Sequence, residues 1–140
     1  GHGVLLIPTW AGEVHAFDPL AREVLWSFEL EGEIWGPPAL DAQRAYLSSW
    51  GGRLIAVDLK SGDERWSYPA GKITGGLSLA GRHVFAATEE GRVLALEAAT
   101  GRLVFEVSGL GPVQAPPLPY RRSLFVANLA GKLYRFTENW

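Results

Sequence analysis

The sequence predicts an all-β chain of four-stranded propeller blades, on three observations: a repeat near 40 residues, short strand-like runs in each repeat, and no helical periodicity. A glycine followed by a polar residue and an apolar run recurs at Gly12, Gly52, Gly91 and Gly131, spaced 40, 39 and 40. The segments behind them read GEVHAFD, GRLIAVD, GRVLALE and GKLYRFT. Eight residues past Asp18, Asp58 and Glu97 stands a large aromatic, Trp26, Trp66 or Phe105. A period of about 40 residues with four strands per unit is that of a propeller blade. Helical solenoids share the period, yet no segment holds a 3.6-residue apolar pattern long enough for a helix.

Taken in order, the apolar runs 4–7, 45–47, 84–87 and 124–127 each precede one of the repeat glycines. The second unit shows the full set: Ala39-Leu40, then 45–49, 54–59 and 64–68, with turns at Gly51-Gly52 and Ser61-Gly62. Leu54-Ile55-Ala56-Val57 is apolar on both faces, as a strand sandwiched between neighbouring sheets must be. Pro37-Pro38 and Pro116-Pro117 hold equivalent positions and read as rigid entries into a new blade. The runs predict about 14 strands in groups of three, four, four and three, a partial or small propeller of three and a half to four blades. The repeat units are expected at 3–41, 42–81, 82–121 and 122–140 of a single array, with blade bounds near 41–43, 81–82 and 121–122. Gly1 and His2 read as a cloning remnant, and the chain as a segment of something longer.

Composition narrows the function classes. Sixteen aromatics and 47% apolar residues in 140 provide for a core and exclude wholesale disorder. Thirteen basic against fifteen acidic residues create no field that favours nucleic acid or an anionic membrane. No apolar run approaches the ~20 residues of a membrane span. Without cysteine there is no disulfide, thiol nucleophile or thiolate metal site, and the compartment stays open.

The segment Ala56-x-Asp58-x-x-x-Gly62-x-x-x-Trp66 resembles the tryptophan-docking repeat of the PQQ-like (quinoprotein-type) β-propellers. The first unit matches through Ala16, Asp18 and Trp26, with Arg22 in place of the glycine. The third keeps Ala95 and Gly101, with Glu97 for aspartate and Phe105 for tryptophan. The fourth departs most, with Arg135 and Thr137, and its docking position lies past residue 140. The glycines permit a positive-φ turn, the aspartate can accept hydrogen bonds from that turn's amides, and the aromatic contributes a large apolar area. By the resemblance, Trp26, Trp66 and Phe105 are wedges between blades.

The candidates for chemistry have structural explanations. His15 takes the repeat position of Ile55, Leu94 and Tyr134, and His83 that of Arg44 and Ser123; with His2 they share no metal-ligand spacing. Glu89-Glu90 fits an exposed turn, and Asp18 and Asp58 are used by their own turns. No nucleophile elbow or phosphate loop is present. Pyrroloquinoline quinone binding in the resembled dehydrogenases uses vicinal cysteines and an acidic calcium cluster, which this chain lacks; no cofactor, metal or catalytic residue is expected. Trp10 and Trp50 are repeat-equivalent beside the glycine turn, and Trp35 lies in a connection between blades. They either cover the blade ends or form a binding surface.

The resemblance therefore implies a non-enzymatic protein-binding, scaffold or sensor module of a bacterial protein, periplasmic or extracellular. It acts through a protein partner, as a homodimer or as part of a larger propeller. The alternatives are a fragment of a quinone-dependent oxidoreductase and a lectin-like propeller.

Overall fold

A computed structural model describes residues 3–137; Gly1 and His2, with the cloning remnant expected there, and residues 138–140 lie outside the described residues. Each glycine-led run forms the third strand of a sheet or its equivalent. The first sheet holds β1 (Leu5–Pro8), β2 (Glu13–Asp18) and β3 (Glu23–Glu29); the second holds β4 (Ala39–Leu40), β5 (Arg44–Ser48), β6 (Arg53–Asp58) and β7 (Glu64–Pro69). The third contains β8 (Leu77–Ala80), β9 (His83–Ala87), β10 (Val93–Glu97) and β11 (Leu103–Val107). The fourth contains β12 (Leu118–Tyr120), β13 (Ser123–Ala127) and β14 (Leu133–Thr137). All four are antiparallel meanders, called blades 1 to 4 here. The strand groups are the three, four, four and three that the repeat predicts.

The sheets are cut out of phase with the expected bounds. Residues 41–43 join β4 to β5 inside one sheet, and 81–82 and 121–122 do the same in blades 3 and 4. The chain passes between sheets at 30–38, 70–76 and 108–117 instead. The first strands are two to four residues long and carry no glycine signature, so the apolar runs alone set the phase too late. Asp41 secures the first of these hairpins. Its Oδ1 accepts the Gln43 and Arg44 amides at 2.7 Å, and its Oδ2 accepts the Tyr46 hydroxyl at 2.6 Å. Burial works against ionising Asp41, but those three donors hold its carboxyl below the ordinary value; burial and the same carboxylate push the Tyr46 hydroxyl up.

Because strand side chains alternate, every inner blade presents two faces, and both are apolar here. Val14, Ala16 and Trp26 of blade 1 pack on Ala45, Leu47, Ile55 and Val57 of blade 2. The opposite face of blade 2, with Tyr46, Leu54 and Ala56, packs on Val84, Ala86, Leu94 and Leu96 of blade 3. Phe85, Val93 and Ala95 then pack on Leu124 and Val126 of blade 4. The core is thus three slabs between four sheets, which is why Leu54 to Val57 are all fully buried.

Candidate functional site

Antiparallel meanders give the blades two chemically different ends. The turns at 9–12, 49–52, 88–91 and 128–131 share one end with the passages between sheets, the connection end. The hairpin end holds 19–22, 59–63 and 98–102, where the repeated aspartates and glycines sit.

At the hairpin end the polar groups serve their own turns. Asp18 Oδ1 accepts the amides of Leu20 and Ala21 at 2.8 and 3.0 Å, and Asp58 Oδ1 accepts those of Lys60 and Ser61 at 2.9 and 3.0 Å. The Arg65 guanidinium on Asp58, helped by those amides, keeps its carboxyl well below the usual carboxylate range. Glu97, one methylene longer, accepts the Thr100 hydroxyl and Arg102 instead, and both hold its carboxyl low. Each indole reaches the next blade's turn: Trp26 Nε1 donates to Leu59 O and Trp66 Nε1 to Ala98 O, both at 2.9 Å. A Cβ on Gly62 would lie 2.7 Å from the Trp26 ring, and one on Gly101 2.6 Å from the Trp66 ring, so glycine is required at both. Phe105 has no N–H to donate and lies 5.7 Å from the Phe136 ring, centroid to centroid. Arg22, at the glycine position of blade 1, adopts the left-handed conformation with φ 57°.

The connection end is where the structure gathers aromatics. One backbone clamp recurs there. The amide of the turn residue donates to the preceding connection: Trp50 to Glu33 O at 3.0 Å, Glu89 to Lys72 O at 2.8 Å, and Leu129 to Pro112 O at 2.9 Å. The first clamp sets Trp35 against Trp50, rings parallel within 8° and centroids 4.8 Å apart. Trp10 meets Trp35 edge to face at 4.9 Å, and Trp35 Nε1 donates to Glu33 Oε2 at 2.7 Å. The second clamp brings Lys72 to Glu89, 2.9 Å apart, and Lys72 Nζ also caps the Trp50 ring at 3.5 Å from its centroid. Trp10, Trp35 and Trp50 thus form one strip across the ends of blades 1 and 2, and all three stay exposed, at 70%, 46% and 37%. Beside it lies a recess of about 340 Å³ lined by Trp35, Trp50, Thr74, Glu89 and Gln114. Thr74 Oγ1, in that lining, is buried without a hydrogen-bond partner.

The repeat placed Trp10 and Trp50 in one phase but gave no sign of Lys72, and Glu89 looked like an ordinary turn residue. The clamp makes them part of the strip; it is a backbone contact, so residue types do not announce it. The histidine positions do not assemble with it. His15 lies on blade 1, with Nδ1 2.7 Å from Ser27 Oγ and Nε2 3.3 Å from Glu13. Among the described residues, no three His, Asp or Glu side chains gather as a metal site.

Comparison with known proteins places this geometry. The family described as outer membrane protein assembly factor BamB matches residues 1–72 and 69–139. The assembly factor BamB of Nitrosomonas eutropha is 31% identical over 112 residues, 76% of this chain and 27% of that protein. Quinohemoprotein alcohol dehydrogenase ADH-IIG of Pseudomonas putida is 39% identical over 86 residues, 60% of this chain and 12% of that one. The crystal structure of BamB from Moraxella catarrhalis superposes with a TM-score of 0.85 at 23% identity, covering 97% of this chain and 46% of that chain, a likeness of fold. The chain therefore spans about a quarter of the first of these relatives.

Proposed function

The chain belongs to the family of outer membrane protein assembly factor BamB, whose members are PQQ-like propellers, and we propose that it is a non-enzymatic protein-binding module. The observation that carries this reading is the exposed strip of Trp10, Trp35 and Trp50 on the connection end. Large aromatics clustered within a charged rim have the composition of a binding hot spot. The partner proposed is a protein of the bacterial envelope, in keeping with relatives named as outer membrane assembly factors. A periplasmic location goes with this family. The 3–140 stretch acts as one repeat array, with Trp26, Trp66 and Phe105 wedged between blades and Asp18, Asp58, Gly62, Glu97 and Gly101 shaping the turns that receive or support them. It pairs with a second copy or completes a larger propeller.

The stacking geometry favours a protein over a quinone held between rings. A quinone needs a ring face on either side of it, and a sugar one broad free face; of the three rings Trp10, 70% exposed, offers the most. Trp50 has one face against Trp35 and the other under Lys72, while Trp35 is held between Trp50 and Trp10. Ring edges and the outer side of Trp10 remain, and these suit an irregular protein surface. The quinone reading keeps one support, the 39% identity to a quinohemoprotein dehydrogenase over 86 residues.

Two measurements test the proposal. Immobilised chain is offered bacterial envelope extract, and Trp10→Ala and Trp35→Ala variants should lose the retained partner while keeping the wild-type circular dichroism. Titration with pyrroloquinoline quinone and calcium should leave the quinone spectrum unchanged and support no dye reduction. Saturable binding with quinone-dependent reduction would overturn the non-enzymatic reading.

A further inference from the structure

The three passages between sheets repeat one local pattern. Ile34, Ile73 and Val113 stand at the same phase of the repeat and are all buried, so one apolar side chain pins each passage to the core. The residue that follows is left at the surface: Trp35 and Gln114 are exposed and Thr74 is half-buried. The passages also touch backbone to backbone. A Cβ on Gly36 would collide with Gly76 Cα, and one on Gly75 would lie 2.6 Å from the carbonyl carbons of Gln114 and Ala115. Contact that close fixes the spacing of the three passages and of the side chains they carry. The recess of about 340 Å³ beside the tryptophan strip is built on this platform. Around the connection end, Trp35 and Trp50 come first in its lining, Thr74 next, and Glu89 and Gln114 last.

The chemistry of that lining suits a cation. The turns at 9–12, 49–52, 88–91 and 128–131 and the three passages carry Glu31, Glu33, Glu89 and Glu90 against one cation, Lys72. Lys72 itself shows what this surface holds. Its ammonium lies 3.5 Å from the centroid of the Trp50 ring and 2.9 Å from Glu89 Oε2. A ring face beside a carboxylate attracts positive charge from two sides. The recess keeps further acceptors in the Gln114 amide oxygen and in Thr74 Oγ1, which is buried without a hydrogen-bond partner. A guanidinium is flat, packs along indole rings and presents five N–H donors in a fixed fork, whereas an ammonium is a compact point charge.

Resting on the protein-binding reading above, we infer that the recess seats an arginine side chain of the partner, with its guanidinium between the tryptophan pair and Glu89. Lys72 and the incoming arginine share the Glu89 carboxylate, so Lys72 competes for the seat and lowers the affinity. The partner surface that fits this end carries an arginine among apolar side chains: the arginine enters the recess while its neighbours cover Trp10. Arginine and tryptophan are the residue types that dominate binding energy at protein interfaces. Opposite charge on the two surfaces orients the encounter, and salt screens it.

A capped tripeptide, acetyl-Gly-Arg-Gly-amide, tests the seat on the whole chain, followed through the indole N–H resonances of Trp35 and Trp50. It should bind saturably. The uncharged citrulline analogue should bind at least about tenfold more weakly, because the charge-assisted hydrogen bonds to Glu89 are lost. The lysine analogue should also bind more weakly. Glu89→Gln should weaken the arginine peptide by a similar factor, whereas Glu23→Gln, the same change of charge at the hairpin end, should leave it unchanged. Lys72→Ala should strengthen binding about twofold to fivefold, the worth of an exposed ion pair that no longer competes. The peptide series on wild type needs no variant to fold. Equal binding of the arginine and citrulline peptides, or equal or tighter binding of the lysine peptide, overturns the arginine seat. An envelope partner captured equally by wild type and Glu89→Gln also overturns it, and leaves the protein-binding reading intact. A wild-type chain that captures no protein removes that reading and the seat with it.

Discussion

Replacing Gly101 by alanine probes the seat of Trp66 from the opposite side of the interface. The substitution adds one methyl, and its cost divides into two parts. Gly101 has φ +76°, a conformation that costs an L-residue about 1–2 kcal/mol. The new Cβ also lies 2.6 Å from Cδ2 and Cε3 of Trp66, and overpacking of that kind costs roughly 1–3 kcal/mol. Together they predict a loss of about 2–5 kcal/mol, against 5–15 kcal/mol of total stability for a typical domain. Gly81→Ala separates the parts, because Gly81 has φ +58° with no heavy atom within 4 Å of its Cβ. It should cost only the conformational part. Urea melts with unchanged m-values give each loss. Repeating Gly101→Ala in a Trp66→Ala background, itself costing up to about 3–5 kcal/mol, should reduce its cost to that of Gly81→Ala. Equal costs of Gly101→Ala in both backgrounds would refute the seat.

Trp26→Phe keeps most of the ring but leaves Leu59 O without the indole N–H it accepts at 2.9 Å; urea melts should show a loss of about 1–2 kcal/mol. Trp10→Ala should change stability by less than about 0.5 kcal/mol, because Trp10 is 70% exposed, while it abolishes capture of the protein partner on immobilised chain. Asp58 makes stability sensitive to acid. Arg65 and the turn amides depress its folded pKa, so its contribution is complete above the ordinary carboxylate value of about 4 and is lost as pH falls below that. Denaturation at a series of pH values from neutral to 2 should therefore show a shallower acid decline for Asp58→Asn than for wild type.

The fold was legible because a propeller writes its period into residue types. Each of the runs that form β2, β6, β10 and β14 follows a glycine, and burial on both faces demands the unbroken apolar stretch seen at Leu54 to Val57. The sheet boundaries were less visible. The first strands are two to four residues long, so even where one such as Ala39–Leu40 can be read its pattern is too short to fix the phase of the sheet. The same limit applies to the candidate site. Trp10 and Trp50 share a repeat phase and could be placed side by side from sequence. Trp35 and Lys72 lie in passages between sheets, and their positions follow from amide-to-carbonyl clamps that any residue can make.

The two ends of the blades differ in what their side chains do, and that difference is the basis for proposing the strip, rather than the turns, as the binding surface. At the hairpin end, the positions of Asp18, Asp58 and Glu97 and of Trp26, Trp66 and Phe105 vary only between similar residues. Each of those carboxylates is tied to its own turn, and the two indoles are tied to a carbonyl of the next blade. Changing such a residue disturbs the contact between two sheets. At the connection end the clamp uses only the backbone amides of Trp50, Glu89 and Leu129, so the clamp itself does not dictate which side chains stand at that phase. The sequence fills the phase with Trp10, Trp50, Glu89 and Leu129 in turn, four positions with three different chemistries. An unconstrained position facing solvent usually drifts toward small polar residues, since large exposed aromatics invite association. Here two of the four are tryptophan, and a third tryptophan from a connection is stacked onto them.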